Sequence, residues 1–155
     1  KTLSSLVFYL KHFARSNDLI IIDEPELNLH PNNQIILTRI FARLINAGFR
    51  LLVSTHSDYI VRELNNLILL SSQNEDVTEL RKRFGYKESE KIMSNEVSAY
   101  YFDFKTKTTV GVKQLVVNEC GFEVPSIDNT IDSQNNITEE LFYALKYSEK
   151  DAHIE

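Results

Sequence analysis

Leu3, Leu6, Val7, Leu10, Phe13 and Ala14 recur every three or four positions, the period of an amphipathic helix. The polar run Ser16-Asn17-Asp18 ends it. Leu19-Ile20-Ile21-Ile22 follows, unbroken and largely β-branched, and predicts a strand buried on both faces. Pro31 suits the first turn of a second helix, whose core stripe is Ile36, Leu37, Ile40, Phe41, Leu44 and Ile45. Gly48 stands where a helix C-terminus favours positive φ. Leu51-Leu52-Val53 reads as another buried strand, and Asp58 as the cap of a helix carrying Ile60, Val61 and Leu64. Strand, helix and strand joined by short loops predict a βαβ unit with parallel strands and a right-handed crossover.

Beyond Leu70 the texture changes. Ser71–Glu96 is rich in Ser, Gln, Asn, Glu and Lys and reads as an exposed connection with one modest helical stretch near Val77–Phe84. Ser98–Phe104 and Thr108–Leu115 alternate across a turn at Lys105-Thr106-Lys107, which predicts a β-hairpin. Tyr100, Phe102 and Phe104 share one face of it and are expected in the core. Pro125–Asn136 reads as polar loop, and Thr138 as the cap of a last helix with Glu139 and Glu140 in its first turn. The expected divisions are 1–71 for the α/β core, 72–97 for the polar connection, and 98–155 for the hairpin and terminal helix.

The 155 residues suit one compact domain, and 43% hydrophobic with 25% charged residues is the balance of a globular chain. Seventeen basic against twenty-two acidic side chains leave a net charge of −5, so DNA is a partner only through a local patch, not a general basic footprint. Cys120 stands alone, without a zinc-like Cys/His spacing. The apolar runs fall far short of the ~20 residues of a membrane span. With no signal-like opening either, no membrane partner is expected and the cytoplasm is the default location. Gly48, Gly85, Gly111 and Gly121 are too scattered to write either common phosphate-cradle motif. The chain opens at Lys1 directly in helical pattern and without methionine, as expected for a piece of something longer.

Open parallel sheets bind ligands beyond the carboxyl ends of their strands. Two polar clusters fall at that edge: Asp23-Glu24 after the first strand and Ser54-Thr55-His56-Ser57 after the second. Adjacent carboxylates there suit a hydrated Mg²⁺ and a water-orienting base, and a facing histidine suits a terminal phosphate oxygen. Either cluster alone is commonplace; the two in order, with one helix between them, are far more specific.

Asp23-Glu24-Pro25-Glu26-Leu27-Asn28-Leu29-His30-Pro31, followed by Ser54-Thr55-His56-Ser57, closely resembles the ABC-type ATPases of the SMC, RecF and OLD branch. The resemblance covers Lys1–Leu70 and implies the later part of an ATP-binding head with a P-loop NTPase-like parallel sheet and flanking helices. It implies that Asp23 supports Mg²⁺, through water, as the Walker B aspartate, and that Glu24 is the catalytic glutamate polarising water. It further implies that His56 is the switch histidine at the γ-phosphate. Leu27, Asn28, Leu29 and His30 match the loop that meets a second ATPase head in a homodimer.

The family's Gly-rich loop and glutamine loop have no counterpart, and of its signature motif at most a trailing edge at Lys1–Ser5 remains. The domain is therefore expected to be incomplete, lacking the Walker A half. Its own N-terminal half is the implied partner, ATP and Mg²⁺ are bound only with that half, and the piece alone is inactive. OLD-like relatives that carry a nuclease module prompt no such assignment, because no second acidic cluster follows Leu70.

Two other readings compete. One is a metal-dependent phosphohydrolase ligated by Asp23, Glu24, His30 and His56; the other is a non-catalytic interaction module. Glu26 is expected to be a solvated loop residue, His30 a helix-start or loop residue, and Arg81-Lys82-Arg83 a solvated helix face. Ser57, beside His56, is expected to help cap the third helix or orient the imidazole.

Overall fold

In the computed structural model, which describes residues 2–106 and 108–148, the opening helical period forms α1 (Thr2–His12). Lys1 and Lys107, and the side chains of Leu3 and Phe104, lie outside the described residues. The inward face of α1 is Leu6, Tyr9 and Leu10, whereas Val7 and Phe13 are exposed. A latch at the end of the helix fixes this rotation. The Tyr9 hydroxyl donates to Asp18 Oδ2 at 2.5 Å, and the Arg15 N–H donates to the same oxygen at 2.8 Å. The hydroxyl bond, more than any other influence, holds the Asp18 carboxyl below its usual range.

Strands β1 (Leu19–Asp23) and β2 (Arg50–Ser54) pair in parallel, Ile20 opposite Leu51 and Asp23 opposite Ser54, with α2 (Pro31–Asn46) between them in sequence. This is the expected small parallel sheet with helices, compatible with a P-loop-like fold. The strands are not buried on both faces. Ile20 and Ile22 sit in the core under α1 and α2, but Ile21 is 68% exposed and Leu52 56%. Both helices pack on the Ile20–Ile22 side, and among the described residues nothing covers the other.

Helix α2 has two inward faces. Leu37 and Phe41 meet the sheet, while Ala42 packs with Leu67 of α3 (Asp58–Leu69) and with Ile92. Ile36 and Ile40, expected in the stripe, remain exposed. Gly48 ends the helix at φ +89°, where the left-handed region favours a residue without Cβ. The cap of α3 is Ser57, whose Oγ accepts the Ile60 N–H at 3.2 Å. Asp58 lies inside the first turn and pairs with Arg62 at 2.5 Å.

The segment after Leu70 is more than an exposed connection. It forms α4 (Glu75–Arg83) and two short 3-10 turns, at Glu88–Glu90 and Ser94–Glu96. Glu90 is 2% exposed and Ile92 1%. Arg43 of α2 bonds Glu90 Oε1 through Nε at 2.9 Å, and Asn46 Nδ2 donates to Lys91 O at 2.8 Å. A second charged pair lies alongside. Arg39 Nε meets Glu63 Oε1 at 2.6 Å, the Tyr86 hydroxyl donates to Glu63 Oε2 at 3.1 Å, and the Arg39 guanidinium lies 4.0 Å from the Tyr86 ring centre. The segment reads as polar because much of what it buries is paired charge, not hydrocarbon.

The hairpin forms as β3 (Ala99–Phe104) and β4 (Val110–Leu115), antiparallel, with Phe102 opposite Val112. Its aromatic face is not core: Tyr100 is exposed and Phe102 is 64% exposed, because no layer among the described residues packs over it.

Gly121 closes the following turn against α3. Asn65 of α3 takes the Phe122 N–H on Oδ1 at 3.0 Å and gives Nδ2–H to Phe122 O at 2.8 Å. At φ +95°, a Cβ on Gly121 would stand 2.4 Å from Asn65 Oδ1. Gly121→Ala therefore combines backbone strain with loss of this latch and is expected to cost about 1–3 kcal/mol, read as a lowered urea midpoint.

The chain divides into two compact units between Phe122 and Glu123, where its length suggests one. The second unit holds α5 (Pro125–Ser148), so the expected polar loop is helix. Pro125 occupies its first turn, and Ile127, Ile131, Leu141 and Leu145 carry a sparse helical period through polar sequence. Thr138 is an interior residue, its Oγ1 donating to Gln134 O at 2.9 Å, not a cap. Among the described residues no helix is long and apolar enough to cross a membrane.

Candidate functional site

The parallel register brings the ends of β1 and β2 side by side. Asp23 lies opposite Ser54, and the Ser54 hydroxyl donates to Asp23 Oδ1. The next N–H, of Glu24, is shared between Ser54 O at 3.1 Å and Ser54 Oγ at 3.2 Å. Glu24 turns at φ +42°, a left-handed conformation that L residues other than glycine rarely adopt. Such strain persists only where surrounding bonds hold it, and here the two to Ser54 do so. With the backbone in this turn, Glu24 Oε1 stands 3.5 Å from His56 Nε2, an ion pair when the imidazole is protonated. Asp23, Glu24 and His56 therefore share one rim, beyond the carboxyl ends of the strands.

The loop from Pro25 to His30 departs from expectation at two residues. Glu26 is not a solvated side chain. Its Oε1 accepts the Thr55 hydroxyl at 2.8 Å and the His56 N–H at 2.7 Å, while Oε2 is buried without a hydrogen-bond partner. Leu29 packs against the sheet core instead of lying open to a partner. Leu27 and Asn28 remain exposed, Asn28 at φ +63°. His30 is the cap of α2, its Nδ1 accepting the Asn32 N–H at 3.4 Å, so its place is at the helix start.

Gln34 had no signal in the sequence. From the first turn of α2 its Nε2 donates to Leu29 O at 2.9 Å, and its Oε1 accepts the Ser57 hydroxyl at 2.5 Å. Ser54 belongs to a cluster legible in sequence, but its bridge between Asp23 and Glu24 requires the parallel register.

Asp23 and Glu24 offer hard oxygen donors, and Asp23 is exposed with one oxygen engaged by Ser54. That donor set suits Mg²⁺ held through water. Among the described residues, no three His, Cys, Asp or Glu side chains gather as a direct metal site. The four-ligand arrangement through His30 is therefore not formed.

Residues 1–61 match the family model described as AAA ATPase domain. The matched span covers less than half of the chain; it contains Asp23, Glu24 and His56, and at family level it is consistent with ATP binding and Mg²⁺ use. No curated protein and no solved structure matches the chain.

Proposed function

We propose that the chain is the C-terminal portion of an ATP-binding head of the ABC type, from the SMC, RecF and OLD branch, and that the intact protein hydrolyses ATP. The observation that carries this reading is the approach of Glu24 to His56 at 3.5 Å beside Asp23, at the carboxyl ends of adjacent parallel strands.

Bound Mg²⁺ would neutralise the phosphate charge that develops during hydrolysis. Asp23, its carboxylate steadied by the Ser54 hydroxyl, would be the residue that holds the ion. Glu24 orients the attacking water and takes its proton, and its left-handed turn aims the carboxylate over the rim. His56 hydrogen-bonds the terminal phosphate oxygen. The phosphates themselves need a backbone cradle, which this reading assigns to an N-terminal half outside the chain. The open sheet face at Leu19, Ile21 and Leu52 suits that half as its cover. Leu27 and Asn28, exposed at the tip of the loop, face a second head.

The test joins the chain to a half bearing a Gly-rich phosphate loop and measures ATP hydrolysis, which must depend on Glu24. Titration of the chain itself with Zn²⁺ or Mn²⁺ addresses the metal-ligated alternative. No tight binding is expected by calorimetry, because His30 serves α2 and no metal cluster forms among the described residues. A tight site abolished by His30→Ala would favour the phosphohydrolase.

A further inference from the structure

We infer that Glu26 is the positioning residue of this site: its carboxylate fixes the loop after β2 so that His56 stands against Glu24. This rests on the ATPase reading proposed above and adds to it a residue with no chemical step of its own.

The His56 side chain is 88% exposed, and the contact recorded for its ring is Glu24 at a long 3.5 Å. Packing does not hold such an imidazole; its placement comes from its backbone. That backbone ends on Glu26. The single oxygen Oε1 receives the His56 N–H at 2.7 Å and the Thr55 hydroxyl at 2.8 Å, both from the opposite loop. Thr55 Oγ1 in turn accepts the Ser57 N–H at 3.0 Å, so residues 55–57 are organised around one carboxylate before α3 begins.

Glu26 is fixed in its own turn. The Leu27 N–H donates to Glu24 O at 3.2 Å and the Leu29 N–H to Glu26 O at 2.9 Å. The turn that sets Glu24 in its left-handed conformation thereby also sets the acceptor for His56. Hydrogen bonds to an ionised carboxylate are short and strong, which suits a clamp between two loops. Among the described residues Glu26 Oε2 is buried without a hydrogen-bond partner, so the carboxylate is held inside the loop through Oε1. A solvated loop glutamate would make neither of the Oε1 bonds.

The test compares Glu26→Ala, Glu26→Asp and Glu26→Gln. In the chain alone, NMR hydrogen exchange reads the His56 N–H. Glu26→Ala is expected to speed it about tenfold or more. Glu26→Asp, which withdraws the oxygen by one methylene, should also speed it. Glu26→Gln, which keeps an acceptor oxygen in place, should restore it, with the Phe41 and Leu67 amides, inside α2 and α3, as controls for the fold. In the chain joined to a phosphate-loop half, Glu26→Ala and Glu26→Asp are expected to lower kcat about tenfold or more with KM for ATP nearly unchanged, and Glu26→Gln to recover most of it. Should Glu26→Ala not fold, the Asp and Gln pair carries the comparison.

Unchanged His56 exchange in the Ala and Asp variants overturns the inference. So does unchanged kcat in those variants when Glu24→Gln abolishes turnover. Full turnover in Glu24→Gln instead removes Glu24 from the mechanism, no turnover in the joined wild type overturns the ATPase reading, and in both cases the exchange measurement still judges the clamp.

Discussion

Glu24→Gln, in the chain joined to a phosphate-loop half, is expected to lower ATP turnover by about 10²–10⁴-fold while ATP binding persists. The substitution is nearly isosteric. It keeps the backbone N–H that Ser54 fixes on both its carbonyl and its hydroxyl. The turn at φ +42° is therefore preserved, and what disappears is the carboxylate beside His56. An amide oxygen still hydrogen-bonds a water but takes no proton from it at neutral pH, so the chemical step suffers and nucleotide capture does not. Single-turnover hydrolysis and equilibrium nucleotide binding, measured separately, read the two quantities. Equal turnover in both proteins would remove Glu24 from the mechanism.

Arg43→Ala is expected to cost the first unit about 2–3 kcal/mol, near the lower end for breaking a buried pair. The loss comes chiefly from the partner. Glu90 is 2% exposed, and without Arg43 the direct hydrogen bond left to its charge among the described residues is the Lys87 N–H at 2.8 Å. The Arg43 side chain is 42% exposed, so water already screens that end of the pair and the full cost of a closed pair is not reached. Urea unfolding at neutral pH measures the difference.

The loss carries a pH signature. Burial pushes the Glu90 carboxyl upward, but the Lys87 N–H and the Arg43 guanidinium outweigh it and hold the group below its ordinary value. A carboxyl lowered in the folded state stabilises the fold above the ordinary glutamate value, about 4.3, and loses that contribution as pH falls through the lowered value. The gap between wild type and Arg43→Ala should therefore be widest near neutrality and close in acid. A gap independent of pH would place the loss in the packing of the Arg43 stem, not in its charge.

The strands and the site were legible in sequence for the same reason. Leu19–Ile22 ends in Asp23-Glu24 and Leu51–Val53 ends in the Ser54–Ser57 cluster, and parallel pairing leaves both ends little choice but to meet. The readings that changed involve residues whose type misstates their surroundings. Glu26 and Glu90 carry charges that argue for water, yet both are engaged by partners far along the chain, Glu26 by residues 55 and 56 and Glu90 by Arg43. No local pattern encodes such pairings. Tyr100 and Phe102 err the other way, since alternating aromatics predict a strand but not what covers it. In Pro125–Asn136 the density of Ser, Asn and Asp hid a sparse helical period, and the helix began a full thirteen residues before the apparent cap at Thr138.

Helix α2 is a party wall: one side closes the core of the parallel sheet, and the other closes the chamber formed with α3 and the Glu88–Ile92 stretch. Neither room stands without it. If the sheet lets go of Leu37 and Phe41, the same movement withdraws Ala42 from Leu67 and pulls Arg43 from Glu90. The rim of Asp23, Glu24 and His56 and the charged interior around Glu90 are thus expected to melt as one cooperative block.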